Sequence, residues 1–97
     1  MKTIWKFSTL IDGKFIDKFT ITMPKSAEIL CVQTDQINNH PTIWAIVDPE
    51  AEVEDRHFEL HGTGHTIDEN MWMGRKYIGT YQYQKGDFVG HVFETIN

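Results

Sequence analysis

Short runs of β-branched and aromatic residues, separated by Gly, Pro, Asp and Asn, recur along the whole chain, and this spacing limits the possible folds most strongly. Such runs are typical of strands, whereas a sustained 3.6-residue period would indicate helices. Seven strands are predicted, over residues 3–10, 15–23, 28–33, 43–47, 54–61, 76–83 and 87–94. We therefore expect an all-β fold, a single antiparallel sandwich or small barrel of about seven strands.

The chain has 97 residues, which is enough for one hydrophobic core, so residues 1–97 are expected to form a single β domain. The run Ile43–Val47 is apolar at every position, which predicts a central strand that is covered on both faces. From Glu54 to His61 polar and apolar residues alternate, which predicts a strand with one solvent-facing side.

The charge and cysteine content exclude several classes of protein. The formal net charge is −5, which opposes attraction to nucleic acid or to an anionic membrane, so general nucleic-acid binding is not expected. Cys31 is the one cysteine of the sequence, so no disulfide can form within the chain, and a buried, reduced thiol is predicted. The sequence shows neither a secretory signal nor a long apolar run, and a cytoplasmic protein without membrane contact is predicted.

Five short motifs follow one another along the chain. They are Trp5-Lys6-Phe7, Met23-Pro24-Lys25, Trp44-Ala45-Ile46-Val47-Asp48-Pro49, Gly62-Thr63-Gly64-His65 and His91-Val92-Phe93-Glu94. In these motifs the chain resembles a group of short uncharacterised proteins of bacteriophages and prophages. The resemblance implies a phage or bacterial origin and a cytoplasmic location, but it assigns no activity. Small accessory phage proteins often bind a host component or sequester a host defence signal, so the resemblance is compatible with counter-defence.

A glycine-flanked turn and two basic residues form the candidate ligand site. Gly62-Thr63-Gly64-His65 follows a predicted strand, and its glycines allow backbone N–H groups to converge on an anion. Arg75 and Lys76, beyond the next loop, can supply positive charge. The predicted ligand-binding residues are Gly62, Thr63, Gly64, His65, Arg75 and Lys76. The alternatives are a plain turn that requires a positive φ, and basic side chains that stay solvated.

A metal site is a weaker interpretation of the same region. His57, Glu59 and His61 share one face of a predicted strand, and His65 is the natural additional ligand. A solvent-facing strand gives the same alternation without any function, so neither a metal nor a cofactor is assigned. The sequence lacks the G-x-S-x-G and H-E-x-x-H motifs, so an enzyme is not expected, and a metal-assisted hydrolase stays an alternative. His91, between Val89 and Phe93, is expected to be a hydrogen-bonded core imidazole.

Met71-Trp72-Met73 places three large apolar side chains in a polar loop, which predicts packing on the core or a contact with a partner. Trp72 would anchor such a contact. Because a small β domain has little interior space, a ligand pocket would lie most easily between subunits, and a homo-oligomer is predicted. The favoured function is a small binding protein for an anionic, nucleotide-like ligand. A direct inhibitor of a host protein, using residues 71–73 and the acidic segment 48–55, and a virion component are the alternatives.

Overall fold

The computed structural model describes residues 1–9, 18–35, 40–70, 73–83 and 88–96. Its seven strands are β1 (Thr3–Ser8), β2 (Lys18–Pro24), β3 (Glu28–Thr34), β4 (Pro41–Val47), β5 (Val53–Gly62), β6 (Arg75–Tyr83) and β7 (Phe88–Thr95). All strand pairs are antiparallel, so the prediction of an all-β, sandwich-like fold is confirmed. The predicted strand residues 10, 15–17 and 87 lie outside the described residues.

The strands form two sheets, one of three strands in the order β1-β4-β3 and one of four strands in the order β2-β5-β7-β6. Alternate residues of each strand point into a shared core, where the largest fully buried apolar side chains are Phe58, Met23, Ile43, Leu60, Val47 and Val92. We call the opposite side of each sheet its outer face. Within the described ranges, no helix is long and apolar enough to cross a bilayer.

Gly90 on β7 is required by close packing against two buried side chains. A Cβ atom at this position would lie 2.7 Å from the ring of Tyr81 and 2.8 Å from Cδ1 of Leu60, and these residues are only 4% and 1% exposed. Because both side chains are buried, neither can move away from the added atom without disturbing its neighbours. We expect Gly90→Ala to lower the free energy of unfolding by about 1–3 kcal/mol, as measured by urea denaturation. An unchanged unfolding midpoint would contradict this packing.

The order of strands in the four-stranded sheet separates the two ends of the segment 63–74. Since β5 and β6 are both antiparallel to β7, they run parallel to each other, and the connecting segment must return along β7. Gly62 pairs with Gly90, whereas Arg75 pairs with Thr95, five residues further along β7. At about 3.3 Å per residue, this offset corresponds to roughly 17 Å.

Candidate functional site

Polar and aromatic side chains are organised in three rows across the outer face of the four-stranded sheet. The strand register defines these rows as Thr20–His57–Thr95–Arg75, Lys18–Glu59–Phe93–Tyr77 and His61–His91–Thr80. Side chains directly opposite each other on neighbouring strands are about 4.5–5.5 Å apart at Cβ, so successive members of each row are neighbours. We call these eleven residues the polar face.

Glu59 is the buried centre of the polar face. Its side chain is 9% exposed, and its two carboxylate oxygens bond to different basic groups. Arg75 Nε donates to Oε2 at 2.9 Å, and His61 Nε2 lies 3.1 Å from Oε1. Burial alone would raise the pKa of Glu59, but the hydrogen bonds and charges of Arg75 and His61 outweigh it and hold this pKa below the ordinary value of 4.5. Glu59 is therefore an ionised bridge between two strands.

The depressed pKa of Glu59 makes its contribution to stability depend on pH. The ionised form is favoured by folding, so its contribution is present above the unfolded-state pKa of about 4.5 and is lost as the pH falls through the folded-state pKa. We expect Glu59→Gln to be less stable than the wild type at neutral pH and the difference to shrink well below pH 4.5. Urea denaturation of both proteins, at neutral pH and at a pH well below 4.5, measures this difference in stability. An equal loss at both would contradict the ion bridge.

His91 is fixed by hydrogen bonds at both ring nitrogens. Thr63 Oγ1 lies 2.7 Å from Nε2, and Thr80 Oγ1 lies 2.8 Å from Nδ1. The hydroxyl of Tyr77 bonds in turn to that of Thr80. The imidazole is hydrogen-bonded, as the sequence suggested, but it is half-buried on the outer face instead of lying in the core. This chain of bonds holds the His91 ring and the hydroxyls of Thr80 and Tyr77 in place on the polar face.

Aromatic rings lie beside these polar groups. Phe93 is 6% exposed although it is on the outer face, because neighbouring rings surround it. The His61 ring meets it edge-on with a centroid distance of 5.7 Å, and the Tyr77 ring is tilted against it at 5.4 Å. Tyr77 itself is 47% exposed. The polar face therefore combines the buried ring of Phe93 with the accessible ring of Tyr77.

The turn predicted as an anion cradle is closed by its own backbone bonds. Gly64 has a φ of 88°, the conformation required by the plain-turn alternative. The His65 N–H donates to the Gly62 carbonyl at 3.1 Å, and the Thr63 N–H donates to the Val89 carbonyl at 3.1 Å. These two amides are therefore engaged within the protein. The Thr63 side chain, through His91, is the connection between this turn and the polar face.

The structure separates the two basic residues of the predicted ligand site. Arg75 bonds to Glu59 on the outer face, whereas Lys76 pairs in register with Glu94, whose side chain belongs to the inner side of the sheet. The turn at Gly62 is also roughly 17 Å from Arg75 along β7. The six predicted residues therefore do not form one cluster, and ligand binding by them stays a prediction.

His57, Glu59 and His61, the residues of the weaker metal interpretation, share the outer face, and each is hydrogen-bonded there. His57 Nδ1 lies 3.0 Å from Thr20 Oγ1, while Glu59 and His61 bond to each other. Across the described ranges, no three His, Cys, Asp or Glu side chains are grouped so that they could hold a metal ion. In the predicted partner segment, Met73 is 72% exposed, and Met71 and Trp72 lie outside the described residues.

A depression of about 290 Å³ lies at the beginning of β5 and the end of β7, and it includes His57 and Thr95 of the polar face. It is lined by Glu54, Asp55, Arg56, His57, Glu94, Thr95 and Ile96. Three of these side chains are carboxylates, and the guanidinium of Arg56 is neutralised by Glu94. This lining disfavours an anion, so the depression is a poor match to the ligand class suggested by the sequence.

A protein-family model described as "Domain of unknown function (DUF7352)" matches residues 1–97. No curated protein and no solved structure matches the chain.

Proposed function

We propose a ligand-binding role for this chain, which belongs to the family described as "Domain of unknown function (DUF7352)". The ligand is a small anionic, nucleotide-like molecule, and it binds on the polar face. The observation that carries the proposal is the buried Glu59 carboxylate between Arg75 and His61. A buried ion bridge adds little to the stability of a fold, because removing its charges from water costs free energy. A sheet face with no role other than contact with water therefore does not need one. Such arrangements are enriched at binding sites.

The charge of the polar face favours an anion. The chain as a whole has a net charge of −5. On the polar face, however, Arg75 and Glu59 balance each other as an ion pair, and Lys18 is an additional permanent cation. The eleven residues of the polar face therefore carry a small positive charge, unlike the chain as a whole.

The aromatic and hydroxyl groups favour a ligand with a planar ring. The exposed ring of Tyr77 lies against Phe93 and offers a surface on which a base can stack. The hydroxyls of Thr63 and Thr80, both exposed, lie on either side of His91 and can bond to ribose or base edges. A ligand that joins a planar ring to an anionic group would use both the aromatic surface of Tyr77 and the positive charge of the polar face. This is why the proposed ligand is nucleotide-like.

The motif resemblance to phage and prophage proteins supports a setting for this role. In that setting the protein acts in the cytoplasm of a bacterial host, and the ligand is a nucleotide-like host defence signal. Capture of the signal without chemical change would suffice for counter-defence. We therefore expect the bound ligand to be recovered intact from the protein by chromatography.

Isothermal titration calorimetry with three probes tests the proposal. The probes are adenosine monophosphate, adenosine and inorganic phosphate, which separate the ring from the anionic group. We expect the monophosphate to bind more tightly than either part alone, because it combines the ring with the anionic group. Absence of binding by the monophosphate, or equal affinity for adenosine and its monophosphate, would contradict the proposal.

A further inference from the structure

The outer face of the three-stranded sheet is more apolar than a water-facing sheet requires. On the central strand β4, Ile43, Ala45 and Val47 are at most 1% exposed because they point into the core. Trp44 and Ile46 alternate to the other side and remain partly exposed. The sequence predicted that both faces of this strand are buried. In the fold, the inner face is fully buried and the outer face is only partly so.

Neighbouring strands extend this apolar surface. In register, Ile4 on β1 lies opposite Ile46, and Cys31 on β3 lies opposite Trp44. A bulge between Ile29 and Cys31 inserts Leu30, which is 45% exposed, while Ile4 is 57% exposed. We call Ile4, Leu30, Cys31, Trp44 and Ile46 the β4 apolar face. A contiguous patch of this kind is typical of an interaction surface, since each Å² removed from water contributes about 25 cal/mol.

Two opposite charges flank the β4 apolar face. Lys6 on β1 lies opposite Trp44, and Glu28 on β3 lies opposite Ile46, and both side chains are exposed. These residues are therefore on opposite edges of the sheet. A two-fold axis parallel to β4 places β1 of one copy over β3 of the other. Each Lys6 is then offset by two residues, about 7 Å, along the strand from the Glu28 of the second copy, a distance that the long lysine side chain can span. The face is complementary to itself in charge as well as apolar at its centre.

We propose that two copies of this chain form a symmetric dimer through the β4 apolar face. Trp44 is the central aromatic anchor of each copy, and the two Lys6–Glu28 contacts fix the orientation. The dimer leaves both polar faces on the outside, so association does not depend on the ligand. The dimer proposal goes beyond the proposed ligand-binding function, and the two are tested independently.

Sedimentation equilibrium tests the dimer with a matched pair of variants. We expect the wild type to have twice the mass of the chain at high micromolar concentration and Ile4→Glu to be monomeric. Val53→Glu is the control, because Val53 is 63% exposed on β5, outside the β4 apolar face, and this variant should remain dimeric. A monomeric wild type, or an Ile4→Glu variant that still dimerises, would overturn the proposal.

A charge exchange tests the orientation of the two copies. Lys6→Glu should weaken the dimer by about tenfold, because both ion pairs are lost and like charges face each other. Combining Lys6→Glu with Glu28→Lys restores opposite charges across the interface and should recover the wild-type affinity. Circular dichroism confirms that each variant is folded. Equal weakening by the single and the double variant would overturn the proposed two-fold arrangement.

Discussion

Replacement of Glu94 by Ala is expected to lower the free energy of unfolding by about 3–5 kcal/mol. The Glu94 and Arg56 side chains are 6% and 17% exposed and form a two-pronged ion pair at the edge of the core. One hydrogen bond of this pair, from Arg56 Nη2 to Glu94 Oε1, is 2.9 Å long. Arg56 Nη1 also donates to the carbonyl of Ala27 at 2.9 Å, which ties the pair to the segment before β3. Without the carboxylate, a mostly buried guanidinium would lack its counter-ion.

A surface ion pair supplies the control for this prediction. Lys25 and Glu52 approach to 3.3 Å, but their side chains are 56% and 86% exposed, so Glu52→Ala should cost at most about 1 kcal/mol. Joint replacement of Arg56 by Met and Glu94 by Leu should recover much of the lost stability, because no unpaired charge remains. Urea denaturation compares the four proteins. A loss for Glu94→Ala no larger than that for Glu52→Ala would contradict the role of the buried pair.

Replacement of Arg75 by Gln is expected to weaken binding of adenosine monophosphate by about 10- to 100-fold, the range for loss of a hydrogen bond from a charged donor. Lys76→Gln, which removes the same charge one residue later, should leave the affinity within about twofold, since an exposed charge on the other face of β6 is well screened. Adjacent residues of one strand thus give opposite results because successive side chains point to opposite faces.

Two further variants distinguish the effect of the shape of the Arg75 side chain on binding from the effect of its charge. Arg75→Lys keeps the charge but loses the planar fork, so it should bind with intermediate affinity. Lys25→Gln removes a positive charge far from the polar face and should bind as the wild type does. Thermal unfolding of each variant confirms that it is folded at the temperature of the titration. Equal losses for Arg75→Gln and Lys76→Gln would contradict a ligand on the outer face.

The strand pattern of the sequence was sufficient to predict the fold class. Alternation from Glu54 to His61 correctly separated the buried Phe58 and Leu60 from the outward-facing His57. The same reasoning was less successful for Ile43–Val47, because an apolar run shows that both sides avoid water but not what covers them. In this fold the core covers one side of β4 and leaves Trp44 and Ile46 partly exposed.

The candidate site was harder to predict because it depends on strand order. Glu59 was recognised only as a possible metal ligand, while its bond to Arg75, 16 residues later, follows from the β5-β7-β6 arrangement. Tyr77 and His91 also enter the site through the register of β7, which local sequence does not determine. The alternation within each strand predicts which residues share a face, but it does not predict which strands are neighbours.

The most direct test of the proposed function is an NMR titration of isotope-labelled protein with adenosine monophosphate. The proposal predicts amide shift changes centred on Glu59, His61, Arg75, Tyr77 and His91, with no change at the β4 apolar face. Shift changes confined to Glu54, Arg56, Glu94 and Ile96, the part of the depression on the other side of the sheet or beyond it, or an unchanged spectrum at saturating ligand, would contradict binding on the polar face.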